Sequence, residues 1–180
     1  SLPFSAQAEL IGYWNFDEGS GTNATDTSSS VNQHDGALSG AGTGSAPQWI
    51  SGPIGGALDF TRVDNANGSL VTIPNHPDLL LNDAYTISFW YRPDANVSSF
   101  PGPMRIGSQS PSTGGNIGWG FFRSTSVARL VHKRGGAQPN SYPVSLANEE
   151  WVHIAFQYDG GTNTTAIIFD VSTNTFNQSW

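Results

Sequence analysis

Two segments of the chain, 85–92 and 151–158, alternate between large apolar side chains and mostly polar ones. The first is Tyr-Thr-Ile-Ser-Phe-Trp-Tyr-Arg and the second is Trp-Val-His-Ile-Ala-Phe-Gln-Tyr. A repeat of two residues is the period of a β-strand, whose successive side chains point to opposite faces, and it does not fit the helical period. The second segment predicts one core-facing apolar row, made of Val152, Ile154, Phe156 and Tyr158.

Turn-forming residues separate these segments from other short apolar runs. The 180 residues include 21 glycines and 11 prolines, which favour tight turns over long helices. Asp159-Gly160 is a favoured hairpin turn, and 64–68 is a predicted turn between strands at 55–60 and 69–73. Further strands are predicted at 10–16, near 37–38 inside a long loop (19–48), and at 104–108, 117–123, 127–132 and 166–171. About ten short strands predict an all-β fold, a sandwich of two antiparallel sheets.

The composition excludes several classes of protein. Charged residues make up 12% of the chain and the formal net charge is −7. Binding to nucleic acid needs clustered cations, and the basic stretch 129–134 is interpreted as a solvated strand end. Without a single cysteine, the chain has neither a disulfide framework nor a thiolate metal site. No run of 18 apolar residues occurs, so no membrane span is expected.

Four segments resemble a known family of jelly rolls. They are Tyr13-Trp-Asn-Phe-Asp-Glu-Gly-Ser-Gly-Thr22 with Asp26 and His34-Asp-Gly36, then 55–60, 85–90 and 150–160. This set resembles the laminin-G-like branch of the concanavalin-A-like jelly rolls, as found in bacterial secreted proteins. The resemblance implies a two-sheet antiparallel jelly-roll domain over 10–180. Residues 1–9 are interpreted as an N-terminal extension or the remnant of a leader, because Ala6-Gln7-Ala8 fits small-residue cleavage chemistry.

The end of the chain departs from the family pattern. Members of the family usually continue past the segment equivalent to 166–171 through a further strand and a last one that pairs near the first strand. Here the sequence stops at Trp180, which predicts that the final strands are absent. Two explanations stay open: a trimmed or divergent ending, and strands supplied by a neighbouring chain at an open sheet edge.

Nothing in the sequence carries the pattern of an enzyme. A retaining glycoside hydrolase needs two carboxylates about 5 to 5.5 Å apart, which alternate positions on one strand would supply. The adjacent acids, Asp17-Glu18 and Glu149-Glu150, instead point opposite ways at strand ends. The four histidines are scattered, and none lies in a Gly-x-Ser-x-Gly context. We therefore expect a non-catalytic chain.

The early loop holds acidic residues that are candidates for a metal site. The family often holds one calcium ion that pins this loop, and the residues that match by position are Asp17, Asp26 and Asp35, with Glu18 as an addition. Calcium prefers carboxylate and carbonyl oxygens from loops, so the resemblance implies one structural Ca²⁺. The alternative is that these aspartates accept backbone N–H bonds and cap turns.

Aromatic residues next to cations are candidates for sugar binding. Sugar sites combine an aromatic platform with polar groups that fix the hydroxyls. The foremost pair is Trp119 with Arg123, because Gly118 and Gly120 leave room around the indole. Trp90 with Arg92 is a second pair, and Trp151 with His153 and Trp49 are further candidates. The alternative is that these aromatics fill the space between the sheets.

These observations favour a non-catalytic recognition module of a larger secreted or surface protein, either carbohydrate-binding or adhesive. Its expected partner is a glycan or an extracellular protein. The alternative is a structural subunit of a surface assembly that self-associates through an open sheet edge, and a glycoside hydrolase ranks third. Five Asn-x-Ser/Thr sequons fit an extracellular location in a eukaryotic source; they begin at Asn23, Asn67, Asn96, Asn163 and Asn177.

Overall fold

The computed structural model describes most of the chain as β-strands and the turns that join them. The described residues are 8–64, 66–79, 83–94, 104–106, 118–123, 128–133, 140–144, 146–160, 164–170 and 175–179. Within these ranges the structure has thirteen strands, one 3₁₀ turn (Pro77–Leu79) and no α-helix. Contacts between Cα atoms divide the chain into two compact units, Ser1–Leu79 and Leu80–Trp180.

The first unit contains five strands in two antiparallel groups. Strands β1, β2 and β5 form a three-stranded sheet in that order, and β3 pairs with β4. Gly55, whose φ is 71°, ends the turn between β3 and β4, where the Gly52 N–H donates to the Gly55 carbonyl at 2.8 Å. The strands are β1 (Asn23–Ala24), β2 (Gly36–Ala41), β3 (Gln48–Ser51), β4 (Gly56–Asp59) and β5 (Gly68–Thr72).

The predicted turn at 64–68 forms, but the strands beside it find other partners. The Asp64 carboxylate accepts bonds from the Ala66 N–H and from the backbone and side chain of Asn67. Beyond this turn, β4 pairs with β3 and β5 pairs with β2. The expectation that 55–60 and 69–73 pair as a hairpin is therefore wrong, although Arg62 forms an isolated bridge with Gly68.

The prediction of a strand at 10–16 is also wrong. This segment has no partner strand in the described part of the chain. Its backbone bonds instead to the early loop: the Tyr13 N–H donates to the Asp26 carboxylate at 2.9 Å, and the Tyr13 carbonyl accepts the Thr27 N–H at 2.8 Å. A buried carboxylate thus takes the place of a β-ladder.

The second unit is a sandwich of two four-stranded antiparallel sheets. One sheet has the order β10-β9-β8-β7 and the other β13-β12-β11-β6. The strands that the sequence predicts at 85–92, 117–123, 127–132 and 151–158 are confirmed with shifts of one residue at their ends. The strands are β6 (Tyr85–Tyr91), β7 (Met104–Ile106), β8 (Gly118–Arg123), β9 (Ala128–Lys133), β10 (Asn140–Val144), β11 (Val152–Tyr158), β12 (Thr164–Asp170) and β13 (Thr175–Ser179).

The core of this unit lies between its two sheets. Phe121 of β8 is fully buried and contacts the rings of Phe89 and Tyr91 on β6, with centroids 5.4 and 5.0 Å apart. On β11, buried residues alternate with more exposed ones, so the predicted apolar row of Val152, Ile154, Phe156 and Tyr158 is confirmed, each residue being at most 2% exposed. The predicted all-β antiparallel sandwich is confirmed with it.

One further strand, β13, follows β12 before the chain ends. Strand β13 pairs with β12 over five residues, from Ala166 opposite Ser179 to Asp170 opposite Thr175. The predicted absence of final strands and the predicted division at residues 9 and 10 stay predictions, and residues 1–7 lie outside the described ranges. Among the described residues there is no helix long and apolar enough to cross a membrane.

Candidate functional site

Strands β6 and β11 bring four of the predicted site residues together on the face that points away from the core. The strands pair antiparallel, with Trp90 opposite His153 and Tyr91 opposite Val152. Since Tyr91 and Val152 face the core, Trp90 and His153 face outward. Their ring centroids are 5.0 Å apart and the rings are tilted by 55°, which is a direct cross-strand contact.

A second cross-strand pair extends this contact just beyond the strand ends. The guanidinium carbon of Arg92 lies 5.4 Å from the centroid of the Trp151 ring, within the range of a cation–π interaction. Arg92 is exposed and Trp151 is half-buried. We call the surface formed by Trp90, Arg92, Trp151 and His153 the aromatic–arginine patch.

Small polar side chains continue the same face beyond the patch. Ser88 lies opposite Ala155, and Thr86 lies opposite Gln157. Thr86, Ser88 and Gln157 are exposed, so hydroxyl and amide groups lie beside the aromatic rings. The face offers both stacking surfaces and hydrogen-bonding groups, which is the combination that sugar sites use.

Electrostatics at the patch keep one imidazole neutral. Partial burial lowers the pKa of His153 below its ordinary value, because a low-dielectric environment disfavours the charged form. At neutral pH His153 is therefore uncharged and has one ring nitrogen that donates and one that accepts. Arg92 supplies the permanent charge of the patch.

The acidic candidates of the early loop accept backbone hydrogen bonds. Asp17 accepts the Gly56 N–H at 2.7 Å, and Asp35 accepts the Asp26 N–H at 2.8 Å. Asp26 accepts three, from Tyr13 and Ser28 on one oxygen and from His34 on the other, each at 2.9 Å. This is the capping arrangement named above as the alternative to calcium.

The donors around Asp26 count against it as a calcium ligand, because three N–H groups already occupy lone pairs on its two oxygens. Burial raises the pKa of Asp26, yet these hydrogen bonds outweigh burial and hold the pKa below its ordinary value. The carboxylate is thus stabilised as an anion without a cation. Calcium binding by Asp17, Asp26 and Asp35 stays a prediction.

The remaining aromatic candidates fall in two other places. Trp49 lines an open cleft of about 380 Å³ in the first unit together with Phe16 and Asp17, and its indole N–H donates to the Gly21 carbonyl at 3.0 Å. Trp119 and Arg123 lie in strand β8. The side chains of these two residues lie outside the part of the chain that is described, so the foremost predicted sugar-binding pair stays a prediction.

The family comparison decides the identity of the domain. The laminin-G model described as the concanavalin A-like lectin/glucanases superfamily matches residues 64–170, more than half of the chain. The chain belongs to this superfamily. The laminin-G-like resemblance seen in the sequence is thereby confirmed. No curated protein and no solved structure matches the chain.

Within this lectin/glucanase domain, the matched region contains both strands of the aromatic–arginine patch, β6 and β11. It begins in the first unit, before β5, and ends with β12 in the second. Sequence reasoning named all four patch residues but treated them as two unrelated pairs. The missing information was the register of the two strands. The two segments have the same length and the same alternation, and the sequence does not specify that Trp90 lies opposite His153.

Proposed function

We propose that this lectin/glucanase-superfamily domain is a non-catalytic carbohydrate-binding module and that the aromatic–arginine patch is its sugar-binding surface. The observation that carries the proposal is the β6–β11 register, which places two indoles, an imidazole and a guanidinium side by side on an outward face. Indole rings stack on the apolar face of a sugar ring, and neighbouring polar groups bond to its hydroxyls. The ligand is a glycan with at least one sugar face free for stacking.

Several features support binding without catalysis. The sequence has no pair of acids at alternating positions of one strand, as the two-carboxylate mechanism would use. The adjacent acids Asp17 and Glu18 accept N–H bonds from Gly56 and Thr25. These contacts give both side chains a structural role in the early loop.

We also propose an extracellular location, secreted or at a cell surface. The Asn-x-Ser/Thr sequons support this location, and their asparagines differ in how accessible they are for glycan attachment. Asn23 is exposed, whereas the Asn67 amide donates to Asp64 and accepts the Thr43 N–H at 2.7 Å. Attachment of a glycan replaces one hydrogen of the Asn67 amide nitrogen and so removes a donor to Asp64, which makes Asn23 the better acceptor of the two.

The test of the binding surface uses a glycan array followed by affinity electrophoresis on the polysaccharides that bind. We expect Trp151→Ala and Arg92→Ala each to weaken binding at least about tenfold, because aromatic and arginine side chains dominate binding surfaces. Trp49→Ala is the matched control, since it removes an indole from the cleft of the first unit. Its affinity should equal that of the wild type.

Two outcomes would overturn the proposal. Absence of wild-type binding to every glycan tested would remove the carbohydrate function. Loss of binding in Trp49→Ala with retention in Trp151→Ala would move the site to the cleft in the first unit. Circular dichroism of each variant checks that the fold is intact before its affinity is interpreted.

A further inference from the structure

A second cluster of chemically active side chains lies in the first unit, away from the patch residues in the sequence. It comprises His34, just before β2, His76, just before the 3₁₀ turn, and Asp78 within that turn. The potential ligand atoms of these three residues all lie within 4.8 Å of one another. Sequence analysis treated the histidines as scattered, because 34 and 76 are far apart in the chain and meet only through the fold.

The two distances from Asp78 to the histidine nitrogens match a metal site. The Asp78 Oδ2 atom lies 3.2 Å from His76 Nδ1 and 3.5 Å from His34 Nε2. Ligands that surround zinc tetrahedrally at about 2.0–2.2 Å are about 3.3–3.6 Å from one another. The two imidazole rings are tilted by 53° with centroids 5.0 Å apart, so they do not stack.

His34 provides an independent sign of a ligand, because one of its ring nitrogens is buried without a hydrogen-bond partner. Its side chain is 3% exposed, and Nε2 has no hydrogen-bond partner even though it faces Asp78 at 3.5 Å. A buried polar atom without a partner costs free energy and calls for an explanation. A metal ion bound at Nε2 supplies that partner.

Neighbouring groups hold the carboxylate in position. The Asn32 side-chain amide donates to Asp78 Oδ2 at 2.8 Å, which orients the carboxylate as supporting hydrogen bonds do around metal ligands. The Asp78 N–H donates to His76 Nδ1 at a long 3.4 Å, a weak bond that a metal ion would replace. His76 and Asp78 are partly exposed, which leaves a path for an ion to enter.

We propose that His34, His76 and Asp78 form a binding site for zinc or a similar divalent transition metal. Two imidazole nitrogens and one carboxylate oxygen are a donor set that suits zinc and not calcium or magnesium, which prefer oxygen ligands. The site joins the early loop to the 3₁₀ turn, so the bound ion stabilises the first unit. Its fourth position is open to water or to an outside ligand.

The experiment titrates the metal-stripped full chain with zinc in competition with a chromogenic chelator. We expect one zinc ion per chain with a Kd on the order of micromolar or tighter, and a Tm that rises with zinc. His76→Ala and Asp78→Asn change partly exposed residues and should fold, yet each should lose at least about 100-fold in affinity and the Tm response. Asn32→Ala should lose about 10- to 100-fold.

The matched control is His132→Ala, which removes a histidine in β9 of the other unit and should bind zinc like the wild type. The absorption spectrum of the Co²⁺-substituted chain should show the intensity of a tetrahedral site, and His76→Ala should abolish it. Wild-type binding weaker than about 100 μM would overturn the proposal. Equal zinc affinity of wild type, His76→Ala and Asp78→Asn would overturn it as well.

Discussion

The carboxylate of Asp26 is 1% exposed and accepts three backbone N–H bonds. It connects the segment 10–16 with two parts of the early loop, in a place where the sequence alone predicts a β-strand. In Asp26→Ala three N–H donors lose their acceptor. We expect the free energy of unfolding to fall by about 2–4 kcal/mol, measured by urea denaturation. Asp17→Ala, which removes an exposed acceptor, should cost less than about 1 kcal/mol.

The same residue predicts a pH dependence. Burial raises the pKa of Asp26, but the hydrogen bonds prevail and the folded-state pKa lies below the ordinary value. On acidification the unfolded chain therefore takes up the proton first, so the stabilisation is fully present above about pH 4 and is lost as the pH falls through the folded pKa. Urea denaturation at a series of pH values should show this decline, and Asp26→Asn should show a shallower one.

At the scale of single elements, strand β11 separates core from surface within adjacent residues. Phe156 is 1% exposed and contacts the core, whereas its neighbour Gln157 is exposed. Phe156→Ala should lower the free energy of unfolding by about 3–5 kcal/mol, since it leaves a cavity between the sheets. Gln157→Ala should stay within about 0.5 kcal/mol of the wild type. Similar losses in both variants would contradict the assignment of the two faces.

The strands that can be predicted from the sequence are those with a clear alternation of apolar and polar residues. β6 and β11 alternate over their whole length, so period alone identifies them. β10 has only two alternating apolar residues, Tyr142 and Val144, with Pro143 between them, and β13 reads Thr-Phe-Asn-Gln-Ser. Patterns this short do not predict a strand, and both strands form beside a neighbour that offers backbone partners. The metal cluster escaped prediction for the related reason that its members meet only through tertiary contacts.

At the scale of the whole molecule, charge sets which glycans fit. The net charge is −7, and Arg92 is the one permanent cation of the patch. Repulsion between the negatively charged protein and a polyanionic ligand should therefore exceed the attraction of that ligand to the single Arg92. We expect no retention on heparin or on DNA-cellulose at about 150 mM salt. Retention on either column, eluted by salt, would contradict this and indicate a cationic surface elsewhere.

The alternative of a structural subunit concerns the molecule as a whole. Strand sharing at an open sheet edge predicts association, whereas a self-contained binding module predicts a monomer. For a self-contained binding module, we expect light scattering after size exclusion to give the chain mass of 19.1 kDa. A stable dimer or a filament would favour the structural alternative.

Seven residue pairs hold β6 and β11 together, and successive pairs point to opposite faces. Inserting one residue at the start of β11 would turn the rest of that strand inside out, sending His153 into the interior and Ile154 into water, unless a β-bulge absorbed the extra residue. A length change within either strand is therefore costly except where a β-bulge accommodates it. A lineage of such domains can acquire a new sugar preference by exchanging side chains along the outer row or by lengthening loops beside it, while the spacing of its aromatic rings is inherited unchanged.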